Sequence, residues 1–428
     1  MSCSFNVYMN ERLAGQLFVD DSMRMSFCYA AEYIELEGTS ISLTLPVVGE
    51  AYSDALVFPF VENLLPEGEI RQKIQDLHKI EDGNYERLLD ILGGDVAGAI
   101  SFYPQGVTPS FHAEQALTPL SESDLSQLLL NIQDRPFHSA SHEQVGNRLS
   151  LAGAQNKLPV IVKDSEVYEA GPEPSTHIIK PARKDGRFPS IVYNEYICMK
   201  AAKRAGIDVA DVSLLSVIND DNNESDALLI KRFDRYESEG KTIRLPQEDL
   251  CQLNSIVSTR KYEVSGGSGF IELFSAIKAY SQIPALDDLE TIRRIIFNLV
   301  IGNYDAHGKN FSLLINDKNK IWLSPAYDLV CTQLYEELDT NFAMSIDGIY
   351  ELKDLTEANF VNLFSAIGKK YSGLKKQLIE YLNASVKAVE SEVAEFVKGD
   401  FYQSDIDMAK VILATIKDNE KQLRDILK

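Results

Sequence analysis

The chain has 428 residues, 45% hydrophobic and 25% charged, which is globular composition with enough length for sizeable cores. Its 64 acidic against 42 basic side chains give a formal charge of −22, which argues against nucleic acid or an anionic membrane as a direct partner of the whole body. No window of about 18 apolar residues is present, the polar start lacks the basic-then-apolar order of a secretory leader, and Cys3, Cys28, Cys198, Cys251 and Cys331 form no C-x-x-C pair; a spanning helix, a disulfide framework and a zinc site are therefore not expected.

Residues 1–50 alternate short apolar and polar runs and predict strands, most clearly at 5–8 and 41–45. Asn84 is placed to cap a helix over 85–92 that stops at Gly93-Gly94, and Ser121 to cap one over 122–132. Residues 133–147 carry little periodicity and read as a linker or mobile loop. From 149 to 229 the texture is β-rich with one helix. A strand at 158–162 turns at Asp164-Ser165 and returns at 167–168, another strand ends at Lys180, a helix covers 190–205, and 227–230 is again a strand. From Asp249 onward helices dominate, including 287–302 and 356–396. The exception is a hairpin with arms at 311–315 and 321–324.

Three segments carry chemistry. Ser150-Leu151-Ala152-Gly153-Ala154-Gln155-Asn156-Lys157 is a small-residue loop whose backbone N–H groups can close on an anion. It feeds a strand, the order of kinase phosphate loops, and G-x-x-x-x-G-K-[ST] is absent. Asp305-Ala306-His307-Gly308-Lys309-Asn310 sets an Asp and an Asn at the spacing of kinase catalytic loops, where the Asp accepts the substrate hydroxyl proton and the Asn holds magnesium. Taken alone, either segment reads more readily as an ordinary turn. The third is Ala326-Tyr327-Asp328-Leu329. A hairpin turning about position 318 opposes Asn310 to Ala326 and brings Asp328 to the same end, so that two oxygen ligands suit one magnesium ion. Lys180, ending an apolar strand, is a candidate for nucleotide phosphates, with Glu195 on the next helix as its candidate partner.

These segments, together with Lys231-Arg232-Phe233-Asp234-Arg235, Leu245-Pro246-Gln247-Glu248-Asp249, Asn63-Leu64-Leu65-Pro66 and Leu92-Gly93-Gly94-Asp95, resemble the HipA family of toxin kinases over nearly the full length. The resemblance implies an α+β, two-lobed protein-kinase-like or phosphoinositide-kinase-like fold. Its β-rich amino-terminal lobe spans 1–240, with a subdomain over 1–110 and a nucleotide-covering sheet over 148–240, and its mainly α-helical carboxy-terminal lobe spans 241–428. The resemblance implies ATP and magnesium (Mg2+) as cofactors and Asp305 as the catalytic base, with Asn310 and Asp328 on the metal. Ala152, Gly153, Ala154, Gln155, Asn156, Lys157 and Lys180 are implied at the phosphates, and Lys231, Arg232 and Phe233 at the adenine. His307, Gly308, Lys309 and Tyr327 would line the same pocket, and Ser150 would be the autophosphorylated residue whose modification ejects the loop. Asn156 and Lys231 depart from the glutamates expected there.

By the same resemblance the chain is an ATP-dependent serine/threonine protein kinase of the bacterial cytoplasm, with no membrane partner. Its substrate would be an aminoacyl-tRNA synthetase such as glutamyl-tRNA synthetase. A helix-turn-helix, HipB-like antitoxin would neutralise it and join it on operator DNA to repress transcription. The rival readings are a catalytically silent corepressor or scaffold, against which Asp305, Asn310 and Asp328 all stand, and a lipid or small-molecule kinase on the same fold.

Overall fold

The computed structural model describes residues 3–109, 111, 118–132, 155–171, 173–183, 185–218, 224–316 and 318–428. Ser150, Ala152, Gly153, Ala154 and the linker expected at 133–147 lie outside the described residues. In chain order the elements begin β1 (Cys3–Met9), β2 (Arg12–Val19), β3 (Met25–Tyr29), α1 (Ala31–Glu35), α2 (Asp54–Glu62), α3 (Gly68–His78), α4 (Tyr85–Leu92), β4 (Ile100–Pro104), α5 (Glu122–Asn131), β5 (Leu158–Lys163), β6 (Glu166–Glu169) and β7 (His177–Pro181). They continue α6 (Ile191–Arg204), β8 (Val212–Ile218), β9 (Glu224–Lys231), β10 (Arg235–Ser238), β11 (Lys241–Arg244), β12 (Gln247–Asp249), α7 (Leu250–Leu253), α8 (Phe270–Tyr280), α9 (Pro284–Ile301), β13 (Ser312–Ile315), β14 (Ile321–Leu323), α10 (Glu357–Ala366), α11 (Tyr371–Phe396) and α12 (Gln403–Ile426). The chain divides into two compact units: Met1–Pro181, Leu215–Thr259 and Leu314–Lys320 in the first, Ala182–Leu214, Arg260–Leu313 and Ile321–Lys428 in the second.

In the first unit β3-β2-β1-β4 make an antiparallel sheet. Alternation along the strands sends Phe5, Val7, Leu17, Val19, Met25 and Phe27 into one core, which α2 and α4 complete with Phe60, Val61, Leu88, Leu89 and Leu92. The start of α4 follows from its sequence: Asn84 Oδ1 accepts the Arg87 N–H at 3.0 Å. Residues 41–45, expected as a strand, instead make a tight turn in which the Leu45 N–H meets the Ser42 carbonyl at 3.1 Å. The cause is tertiary. The carboxylate of Glu248, buried, accepts from the Ser42 hydroxyl and from the Leu43 N–H (2.8 Å), so these polar groups need no ladder partner.

A second sheet runs β6-β5-β7-β9-β8, with β8 entering this unit at Leu215. Asp164 and Ser165, both at positive φ (50° and 68°), form the two-residue turn that twists β5 into β6. α5 lays Leu125, Leu128 and Leu129 over Leu158, Val160, Ile179 and Val217.

The second unit is helical around α9. Buried Ile292, Ile295, Ile296, Leu299 and Val300 recur at helical spacing on α9. α12 answers with Ala409, Ile412, Ile416, Asn419 and Leu423, and α11 with Leu378, Leu382, Val386, Val389 and Val393. α11 packs on α6, α9 and α12. The helical stretch expected over 356–396 is two helices. Gly368 turns left-handed (φ 75°) and the Lys369 N–H returns to the Phe364 carbonyl at 2.7 Å, closing α10 before α11 begins. Among the described residues no helix is long and apolar enough to cross a membrane.

Candidate active site

The site in the second unit is built from the end of α9. Gly302 stands in the left-handed region at φ 65°, and a Cβ there would lie 2.5 Å from Gln333 Oε1. Its carbonyl accepts from Thr332 Oγ1 (3.1 Å) and the Gln333 N–H (3.2 Å). Asn419 of α12 donates to the Val300 carbonyl (3.2 Å) and to Gln333 Oε1 (3.0 Å). Thr332 Oγ1 in turn accepts the Tyr304 N–H at 2.8 Å. The chain therefore enters 303–310 from a locked helix end. There Tyr304, Ala306, His307 and Lys309 are buried while Asp305 is exposed. The Asp305 N–H is held by Asn303 Oδ1 (3.2 Å), and Asp305 Oδ1 accepts the Tyr262 hydroxyl at 2.7 Å.

The hairpin has the register reckoned from the sequence. The Ser324 N–H bonds the Ser312 carbonyl at 2.8 Å, a pairing centred on position 318; beyond it Asn310 closes a 3-10 turn and Ala326 pairs with Val209 instead. The Tyr327 hydroxyl donates to the Lys309 carbonyl at 2.6 Å. With that proton used, Ser312 Oγ is the donor in its own 2.6 Å bond to the Tyr327 oxygen. Asn310 Oδ1 accepts the His307 N–H at 3.1 Å, which fixes the side chain and leaves its oxygen a second lone pair. Asp328 sits at φ 54°, a left-handed conformation that Asp tolerates better than most side chains. Beyond it, Asn194 of α6 clamps Cys331 from both sides, accepting its N–H at 2.9 Å and donating to its carbonyl at 3.0 Å. Asn310 and Asp328 each carry a hard oxygen donor of the kind magnesium takes, with water and phosphate completing its shell.

The remaining sequence-predicted residues are described within their own units. Gln155, Asn156 and Lys157 lead directly into β5. Lys180 is buried on β7, opposite Leu228. Glu195 is buried on α6 of the second unit. Lys231 is exposed at the end of β9, paired across to His177. Phe233 is half-buried. Arg232 is fully engaged inside the first unit. Its N–H meets the Thr176 carbonyl (3.0 Å), and its guanidinium holds Asp234 (3.0 and 2.8 Å) and Ser175 Oγ (2.9 Å).

Arg232 belongs to a buried ionic cluster. Arg235 bonds Asp95 Oδ1 at 2.9 Å and Asp234 Oδ2 at 2.8 Å, and Arg244 approaches Asp95 at 3.5 Å. Ser175 Oγ donates to Asp95 Oδ2 at 2.8 Å, and the Gly98 N–H to Asp234 Oδ2 at 3.0 Å. Burial pushes the Asp95 carboxyl up, but Arg235, Arg232 and Arg244 together hold it below the usual carboxylate range. At Arg235, by contrast, burial and the neighbouring Arg232 charge outweigh the two aspartates and bring its guanidinium down to about 10. Nothing in the spacing of these residues announced the cluster, since Asp95 and Arg232–Arg235 lie far apart in sequence. Tyr262 had no signal either, standing 43 residues before the aspartate it touches.

Comparison with known proteins shows the family. Residues 5–103 match the family description "HipA N-terminal domain" and residues 149–393 match "HipA-like C-terminal domain". A protein of Sinorhizobium fredii named as a kinase, Y4mE, is 33% identical over 412 residues, covering 95% of this chain and 94% of that protein. The serine/threonine-protein kinase toxin HipA of Shewanella oneidensis is 27% identical over 409 residues, covering 92% of this chain and 89% of that protein. A solved structure of Shewanella oneidensis HipA, in complex with HipB and its operator DNA, superposes with a TM-score of 0.84 at 25% identity, over 99% of this chain and 98% of that one. With its α+β kinase-like fold and both family regions in place, this chain belongs to the HipA family of toxin kinases.

Proposed function

We propose that the chain is a serine/threonine protein kinase that transfers the γ-phosphate of ATP to an aminoacyl-tRNA synthetase, glutamyl-tRNA synthetase being the first to test. The observation that carries this reading is the exposure of Asp305 within a loop whose other side chains are largely buried. A carboxylate presented in this way can accept the proton of a substrate hydroxyl as its oxygen attacks phosphorus. Asn310 and Asp328 would hold magnesium, which neutralises phosphate charge. The loop Ala152–Lys157 and Lys180 would hold the phosphates. Lys231 to Phe233 would lie near the adenine, with backbone groups and Phe233 making the contacts because the Arg232 side chain is committed elsewhere.

Regulation would take two forms. Ser150 would be autophosphorylated, adding roughly −1.5 to −2 charges beside the triphosphate and expelling the loop. A basic helix-turn-helix antitoxin like HipB would bind the chain and carry it to operator DNA. The net charge of −22 makes the antitoxin, rather than the kinase, the member that grips DNA.

The decisive experiment is Asp305→Asn. The variant should bind Mg-ATP like the parent in isothermal titration, yet transfer no radiolabel to the synthetase and lose toxicity. Toxicity retained at equal expression would mean a mechanism other than phosphate transfer.

A further inference from the structure

We infer that Tyr262 is a positioning residue for the transfer reaction: its phenol fixes which oxygen of the Asp305 carboxylate faces the substrate hydroxyl. The inference rests on the reading of Asp305 as the base. An exposed carboxylate turns freely about its last torsion, and either oxygen can point anywhere on that cone. The 2.7 Å bond from the Tyr262 hydroxyl reserves Oδ1 and leaves Oδ2 to receive the proton. In the reaction the substrate oxygen bonds to the γ-phosphorus, its proton passes to Oδ2, and the bond from that phosphorus to the bridging oxygen breaks to release ADP.

The loop around Tyr262 is built to hold one position. The Tyr262 carbonyl accepts the N–H groups of Ser265 and Gly267, both at 3.0 Å. A Cβ on Gly267 would lie 2.3 Å from the Arg260 carbonyl and 2.7 Å from that of Tyr262, so this closure requires glycine. Upstream, the Lys261 carbonyl accepts the Gly308 N–H at 3.4 Å, tying the loop to the segment that carries Asp305. Downstream, the Glu263 N–H donates to the Ala343 carbonyl at 3.1 Å, and the Glu263 carboxylate holds the Ser345 N–H (2.5 Å) and hydroxyl (2.8 Å). The Tyr262 ring meets His307 edge-on at 5.3 Å between centroids. Both flanks and the ring are therefore fixed, and the hydroxyl arrives at Asp305 from a rigid base.

The test compares Tyr262→Phe with Tyr262→Leu in the full chain. Transfer of label from γ-labelled ATP to glutamyl-tRNA synthetase gives kcat and KM, and isothermal titration gives the ATP affinity. Removing only the hydroxyl should lower kcat about tenfold or more, with ATP affinity and KM within about twofold of the parent. The leucine variant should lose at least as much turnover and also melt earlier, because its contact with His307 is gone. Parental turnover by the phenylalanine variant alongside a failing leucine variant would show that only ring packing matters and would overturn the inference. So would a phenylalanine variant that loses ATP affinity in step with kcat. If Asp305→Asn transfers label as fast as the parent, the base itself is misassigned and this inference falls with it; a parent inert towards this synthetase refutes the substrate alone, and the same variants are then compared by the label incorporated into the chain itself.

Discussion

Replacing Asp95 by alanine should destabilise the first unit severely. Asp95 and Asp234 face three arginines, Arg232, Arg235 and Arg244, and every one of the five is less than a tenth exposed. Removing Asp95 leaves Asp234 alone against the three cations, and strips Arg235 Nη2 and Ser175 Oγ of partners at 2.9 and 2.8 Å. The Arg244 approach at 3.5 Å is long and adds little. Breaking a buried ion pair from one side costs about 3–5 kcal/mol, set against a total stability of about 5–15 kcal/mol. Asp95→Asn keeps an acceptor for one of the two short bonds while losing the charge, so its cost should fall between parent and alanine. The assay is urea unfolding followed two ways. Far-ultraviolet circular dichroism sees both units, whereas fluorescence reports on Trp322, the chain's one tryptophan, which lies in the second unit. The dichroism midpoint should drop well below that of the parent. A shift worth less than about 1 kcal/mol would refute the claim that the two halves of the cluster depend on each other.

Three further outcomes are expected. Burial raises the Glu248 carboxyl to about 7 against the restraining Ser42 and Leu43 hydrogen bonds, so the folded state holds this proton more tightly than the unfolded chain. Its stabilisation is complete below the ordinary carboxylate range and is lost as pH rises through about 7; urea midpoints should fall between about pH 5 and pH 8 by roughly 3 kcal/mol, and an unflattened profile in Glu248→Gln would disprove it. Gly302→Ala forces a Cβ to within 2.5 Å of Gln333 Oε1 at a left-handed φ, so the melting temperature should drop by the equivalent of about 1–3 kcal/mol; a parental melting curve would show that the helix end yields freely. Asp328→Asn keeps a side chain suited to φ 54° but removes the charge, and ATP affinity with magnesium should fall roughly 10- to 100-fold while affinity in chelator stays unchanged; equal affinity in both would make Asp328 purely structural.

Local chemistry was legible in the sequence where local chemistry decides. Asn84 caps α4, Asp164-Ser165 turns β5 into β6, and the hairpin register follows from one turn position. Each of these depends on residues a few positions apart. Residues 41–45 misled because their alternation is that of a strand, while Glu248, some two hundred positions away, supplies the hydrogen bonds that make them a turn. Residues 356–396 read as continuous helix because propensity alone does not show that Gly368 ends one helix and frees the next to start. The site divides in the same way. Asp305, Asn310 and Asp328 are bound by spacing and could be picked out together. Tyr262, and the withdrawal of the Arg232 guanidinium into an ionic cluster, depend on long-range packing and left no pattern in the chain.

The path of the chain between its two units bears on how the protein is made. It leaves the first unit after Pro181, returns at Leu215, leaves again after Thr259 and comes back once more for Leu314–Lys320. A nascent chain emerging at about 5–20 residues per second therefore exposes Asp95 well before its arginines are synthesised, and the last strip of the first unit follows Pro181 by on the order of ten seconds. Neither unit can close as an early, self-sufficient block on the ribosome. A product released at any point before Lys320 lacks part of the first unit and most of the second, so translation cut short should yield material for proteases rather than a working toxin.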